Sequence, residues 1–169
     1  TVGTYTSPHL ERLNERISRN AEPISDDDFV EQIAALAEVE LVAGVRPTYF
    51  ELVTAAAFRW FADVAVDVAV IEVGMLGKWD ATNVVQSQVA VVTNIGMDHN
   101  EYAGPTKADI AREKSGIVKP GSAVVIGETD PELVQIFVDA GGASNFVRGE
   151  DFDVVENQLA IGGRVVDLR

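Results

Sequence analysis

The chain has 169 residues, 47% of them hydrophobic, with 13 basic and 27 acidic side chains, a formal net charge of −14 and no cysteine. The length suffices for one domain with a sizeable core, and the apolar content excludes disorder. The lack of cysteine excludes disulfides and thiolate metal sites, which makes a cytoplasmic compartment the expectation. No apolar run approaches the ~20 residues of a bilayer-spanning helix, and residues 1–20 show no basic head followed by an apolar stretch, as a secretory signal would. The negative charge opposes binding to nucleic acid or to an anionic membrane. An anionic substrate would have to be held locally, by a metal ion, a helix N-terminus or a few placed basic groups. The same acidity also serves solubility alone.

Taken in chain order, Val2 to Tyr5 reads as the end of a strand. Ser25 followed by Asp26, Asp27 and Asp28 predicts a helix start, a capping hydroxyl with carboxylates on the positive end of the dipole. Phe29, Ile33, Leu36 and Leu41 then recur at helical spacing. A second helix is predicted from Tyr49 to Ala62, burying Phe50, Val53, Ala57, Trp60 and Phe61. Val66–Ile71 is mainly apolar on both alternating faces, the pattern of a parallel strand covered on both sides by helices, and Val89–Thr93 repeats it. Between them lies a loop rich in glycine and polar residues, Gly74 to Ser87. A helix over Lys107–Ser115, a strand over Ala123–Ile126 and a helix opened by Asp130-Pro131 continue the alternation. The tail, Phe152 to Leu168, reads as short strands with a Gly162-Gly163 turn. Strands alternating with helices predict an α/β fold with a doubly wound, mainly parallel sheet and helices on both faces.

In such sheets ligands bind beyond the carboxyl ends of the strands. Glu72 ends the first buried strand. Asp98 and His99 follow the second, beyond Asn94 and Gly96. A carboxylate and an imidazole there suit a hard-metal or phosphate site, although a strand-end glutamate also caps neighbouring helices and a loop histidine also bonds to backbone. Ser7, after the first strand, reads either as an N-cap with Pro8 at the first helical position or as a hydroxyl ligand of Mg²⁺. Lys114 stands in the last turn of its helix before Gly116, a C-terminal stop. Taken alone, it is a solvated lysine whose charge suits the negative end of the helix dipole, worth roughly 0.3–1 kcal/mol. No Ser-His-Asp triad, zinc signature, dinucleotide fingerprint or phosphate-cradling glycine loop is present.

Five further segments stand in order along the chain. They are Tyr5-Thr6-Ser7-Pro8-His9-Leu10 with Asn14-Glu15-Arg16-Ile17, then Phe50-Glu51-Leu52-Val53-Thr54-Ala55, then Glu72-Val73-Gly74-Met75-Leu76-Gly77-Lys78-Trp79-Asp80-Ala81-Thr82-Asn83. Asn94-Ile95-Gly96-Met97-Asp98-His99 and Ala111-Arg112-Glu113-Lys114-Ser115-Gly116-Ile117-Val118-Lys119-Pro120-Gly121 complete the set. Together these segments resemble the folate ligases, the dihydrofolate synthase/folylpolyglutamate synthase family within the Mur ligases, and the resemblance covers most of residues 1–135. It implies ATP-dependent addition of L-glutamate to dihydropteroate, or to the glutamate tail of reduced folates, by way of an acyl phosphate. It further implies small-molecule substrates only, a monomer, ATP and Mg²⁺, with two magnesium ions in the family. Ser7 and Glu72 match ligands of the magnesium on the ATP phosphates, and His99 a ligand of a second. Lys114 matches a lysine carbamylated by CO₂. Asn94 falls near the nucleotide and Asp80 near the pterin loop.

Three positions depart from the family pattern, mildly at Ser115, which stands for a small alanine. Leu76 and Lys78 stand where glycine and arginine are more usual, and a β-carbon at Leu76 would restrict the loop. The family's Gly-rich Lys-Ser loop would lie upstream of Thr1 and its C-terminal domain beyond Arg169. The expectation is therefore a partial central ATP-binding domain over 1–169, with a tail of short strands from 150, inactive by itself. The other readings are a Mur-type ligase acting on a different substrate, and a non-catalytic α/β remnant that serves as a binding module.

Overall fold

A computed structural model describes residues 1–97, 100–156 and 158–167 of the chain. They form two compact units, one of Thr1–Gly74 with Asp80–Thr82, the other of Met75–Trp79 with the residues from Asn83 onward.

In the first unit, β1 (Val2–Tyr5), β2 (Ile17–Arg19), β3 (Glu22–Pro23) and β4 (Val68–Ile71) make a sheet of order β3-β2-β1-β4. β1 runs parallel to β4 and antiparallel to β2, and β2 is antiparallel to β3. The β2–β3 hairpin, unforeseen in the sequence, turns on Asn20 and Ala21, both at positive φ (51° and 67°). Two helices follow: α1 (Asp26–Ala43) and α2 (Tyr49–Asp63). Ser25 Oγ caps α1 by accepting from the Asp28 N–H at 3.1 Å, as its sequence predicts, and Thr48 and Glu51 close a capping box on α2. Val53, Ala57, Trp60 and Phe61 line one face of α2 and bury themselves with Tyr5, Ile17 and Ile24. Gly3 admits α2 because a β-carbon there would fall 2.8 Å from the Phe61 ring.

Three expectations need correction. Phe29, Ile33 and Leu36 of α1 pack on this core, but Leu41 is 85% exposed, because the helical stripe has rotated off the core by its last turn. No helix starts at Ser7; the next helical segment is a 3-10 turn at Leu13–Arg16. β4 is not covered on both faces: it is an edge strand, and Val68 and Val70 are more than half exposed while Ile71 packs inward.

In the second unit, β5 (Val89–Val92), β6 (Ala123–Ile126) and β7 (Ser144–Val147) form a parallel sheet in that order. The crossover from β5 to β6 carries α3 (Asn100–Ala103) and α4 (Lys107–Ser115), and that from β6 to β7 carries α5 (Pro131–Val138). Asp130 caps α5 with Pro131 at its first turn, and the bounds of α4 and β6 agree with the sequence reading. Ala90, Val92, Ile110, Ala111, Val124, Ile126, Leu133 and Phe137 make the core. The tail is an antiparallel meander of β8 (Phe152–Val155), β9 (Gln158–Ile161) and β10 (Arg164–Asp167), turning at Gly162 and Gly163. Parallel strands joined by helices thus make a mixed α/β fold, to which the β2–β3 hairpin and this meander are antiparallel additions.

Candidate functional site

In the first unit, β1 and β4 are parallel and in register, Tyr5 opposite Ile71, so the chain leaves both at the same edge. The Glu72 N–H extends the ladder to the Tyr5 carbonyl at 2.9 Å. Two residues past Tyr5, the Ser7 N–H donates to Glu72 Oε2 at 2.7 Å, a short bond because the acceptor is ionic. Ser7 is half-buried and Glu72 exposed. The bond uses the serine backbone, so among the described residues Ser7 Oγ and Glu72 Oε1 form no hydrogen bond. Two residues with oxygen donors at the ends of neighbouring strands suit Mg²⁺, which keeps several waters and takes phosphate oxygens beside one or two protein ligands. No group of three or more His, Asp or Glu side chains able to cage a metal occurs among the described residues. The donor set therefore fits an ion shared with a phosphate-bearing ligand.

The same edge holds a group that the sequence reading quoted without giving it a role. Arg16 is only 8% exposed, yet its Nε donates to His9 Nδ1 at 2.9 Å and its guanidinium lies 5.7 Å from the Tyr49 ring centroid. His9 accepts at Nδ1, so that imidazole carries its proton on Nε2. Tyr5, beneath, is fully buried and its hydroxyl meets Thr54 Oγ1 at 3.0 Å. Burial pushes the Tyr5 phenol up against the opposing effects of the Thr54 hydrogen bond and the Arg16 charge. Asp80 is turned by Thr82, whose N–H and hydroxyl both donate to Asp80 Oδ1, at 3.0 and 2.6 Å.

In the second unit, Asn94 is exposed just beyond β5. The segment after it is held by Glu128, which follows β6 and was missed in the sequence. Glu128 Oε2 accepts from the Ile95 N–H at 2.9 Å, and Oε1 from those of Thr129 and Asp130. Partial burial pushes the Glu128 carboxyl up, but the backbone donors at Asp130, Ile95 and Thr129 outweigh it and hold the carboxyl below the ordinary glutamate range. Asp98 and His99 lie outside the described residues.

Lys114 is half-buried in the last turn of α4, and among the described residues its Nζ joins no ion pair or hydrogen bond. Gly116 does end this helix, but in a right-handed conformation (φ −60°) rather than a left-handed one. Its glycine is required by a close approach: a β-carbon would fall 2.6 Å from Lys78 Cα. Leu76 adopts φ 59°, the left-handed region that favours glycine.

Residues 28–147 match the Mur ligase middle domain. The chain belongs to that family. Within it, the chain is 41% identical over 99% of its length to the dihydrofolate synthase/folylpolyglutamate synthase of Mycobacterium tuberculosis, and spans 39% of that protein. Escherichia coli FolC in complex with DHPP and ADP superposes with a TM-score of 0.87 at 32% identity, over 98% of this chain and 41% of that one. The bifunctional folylpolyglutamate synthase/dihydrofolate synthase of Yersinia pestis, complexed with AMPPNP and Mn ion, gives 0.86 at 31% identity over the same shares. No helix among the described residues is long and apolar enough to cross a membrane.

Proposed function

We propose that this chain is the central ATP-binding part of a longer ligase that joins L-glutamate to dihydropteroate, to the glutamate tail of reduced folates, or to both. The observation that carries this reading is the pairing of Ser7 with Glu72 at the carboxyl ends of parallel strands, in a chain so similar to folate ligases. A carboxylate is a poor electrophile. Its oxygen attacks the γ-phosphorus of ATP and expels ADP, which leaves an acyl phosphate. The glutamate amine then attacks the acyl carbon, the bond from that carbon to the bridging oxygen breaks, phosphate departs, and the amine proton passes to solvent. Such chemistry asks the protein mainly for positioning and charge neutralisation.

Ser7 Oγ and Glu72 Oε1 would hold the magnesium of the nucleotide, which neutralises phosphate oxygens when bound. Among the described residues the Lys114 Nζ joins no ion pair or hydrogen bond. Attack of that amine on CO₂, with loss of one proton, makes an anionic carbamate suited to a second magnesium, with His99 as a further ligand. Asn94 would border the nucleotide and Asp80 the pterin ring. We also assign the chain a monomeric state and the role of a partial domain. The test is purified full-length protein with ATP, magnesium and L-glutamate against a panel of acceptors. Dihydropteroate or a reduced folate should be required for ADP release, and turnover only with a cell-wall precursor would overturn the reading.

A further inference from the structure

The last turn of α4, which carries Lys114, is held by an arrangement that the proposed roles above do not use. A helix leaves its final carbonyls without helical partners. Here the Glu113 carbonyl accepts from the Lys78 N–H at 3.0 Å, and the Gly116 carbonyl accepts from Asn83 Nδ2 at 3.1 Å. The second proton of Asn83 Nδ2 goes to the Lys78 carbonyl at 2.9 Å. Both amide donors of one asparagine therefore tie the backbone at Lys78 to the backbone at Gly116. The contact has no room for side chains. A β-carbon on Gly77 would sit 3.0 Å from the carbonyl oxygens of Glu113 and Lys114, and one on Gly116 would sit 2.6 Å from Lys78 Cα.

The orientation of that asparagine is set by Lys119. Its Nζ donates to Asn83 Oδ1 at 2.8 Å and to the Asn83 carbonyl at 3.1 Å. Turning the amide over would set its NH₂ against an ammonium and its oxygen against two carbonyls, so only one orientation is tolerated. Lys119 is half-buried and forms no ion pair with a carboxylate among the described residues. Its charge is spent on neutral acceptors, an unusual use for a lysine. The turn from which it projects is fixed in its own right. The Lys119 N–H donates to Ser122 Oγ, the Ser122 N–H donates to the Lys119 carbonyl, and Ser122, fully buried, gives its hydroxyl to the Ser87 carbonyl at 2.7 Å.

We infer that Asn83 and Lys119 are positioning residues for Lys114, fixing the helix end from which it projects. The inference rests on the role proposed for Lys114. The test uses the full-length protein and four variants, Asn83→Ala, Lys119→Met, Lys119→Arg and Lys114→Ala. Ligation kinetics and thermal melting are measured alongside the carbamate signal formed from ¹³C-bicarbonate. Asn83→Ala and Lys119→Met should lower kcat by about 10–100-fold, the scale of a small misplacement, with KM for nucleotide little changed and a weakened carbamate signal. Lys119→Arg, which still offers two donors, should restore most of both. Wild-type kcat and carbamate signal in both Asn83→Ala and Lys119→Met would overturn the inference, and so would failure of Lys119→Arg to rescue while its melting stays intact. If Lys114→Ala itself keeps full activity and the unsubstituted protein shows no carbamate, it is the role of Lys114 that fails, and the inference falls with it.

Discussion

The Ser7 N–H sits 2.7 Å from Glu72 Oε2, which joins the carboxyl ends of β1 and β4 through one charge-assisted bond. The bond occupies one carboxylate oxygen, and among the described residues Glu72 Oε1 and the serine hydroxyl form no hydrogen bond. It gives the pair a fixed geometry and leaves donors available to a cation.

Replacing Glu72 with alanine should therefore separate function from folding. The side chain is exposed, so the melting temperature should change little. Magnesium-dependent binding of an ATP analogue to the full-length protein should weaken by at least about tenfold. Calorimetric titration with and without magnesium checks this, and an unchanged metal-dependent affinity would remove Glu72 from the proposed ligand set.

The β2–β3 turn places Ala21 at φ 67°, where an L side chain is strained. Ala21→Gly should stabilise the protein by about 1 kcal/mol, the usual cost of a left-handed residue. A raised urea midpoint at unchanged slope is the expected result.

Leu76 combines a left-handed backbone with packing on the second core. Truncation to alanine loses the packing and keeps the strain, whereas Leu76→Gly loses both. Leu76→Gly should accordingly be more stable than Leu76→Ala by about 1 kcal/mol. The reverse order in chemical denaturation would show that this backbone is not strained.

Glu128 predicts a pH dependence. Its folded pKa lies below the ordinary value of 4.5, so the unfolded chain takes up a proton first as pH falls. Its stabilisation is present in full above 4.5 and is lost as pH drops through the lower folded value. The stability difference between the unsubstituted protein and Glu128→Gln should be constant from neutrality down to about pH 5 and then shrink. A difference that grows on acidification would mean the opposite sign of shift.

Much of this was legible where local chemistry and pattern agree. Ser25 with its three aspartates starts α1, and α4 and β6 run between the expected residues, because caps and apolar periods act over a few positions. The β2–β3 hairpin was not, since Asn20-Ala21 lacks the glycine that marks such turns. β7 was not either: Ser144-Asn145-Phe146-Val147 offers too little apolar pattern. Leu41 and the edge valines of β4 carry a core signature, but burial depends on neighbours that spacing does not specify. For the site, strand-end placement pointed to Ser7 and Glu72, while their hydrogen bond depends on the parallel pairing of strands far apart in sequence. Arg16 stood within a quoted motif, and only the fold reveals it as a buried cation against His9. The ties of Asn83 to Gly116 and of Lys119 to Asn83 join residues more than thirty positions apart, which periodicity cannot reach.

The central claim is ligation through an acyl phosphate, and isotope transfer tests it most directly. Dihydropteroate carrying ¹⁸O in its carboxylate is turned over by the full-length protein with ATP, magnesium and L-glutamate. The account predicts one ¹⁸O in the inorganic phosphate released for each amide formed. Label recovered in AMP, or no label in either product despite amide formation, would contradict it.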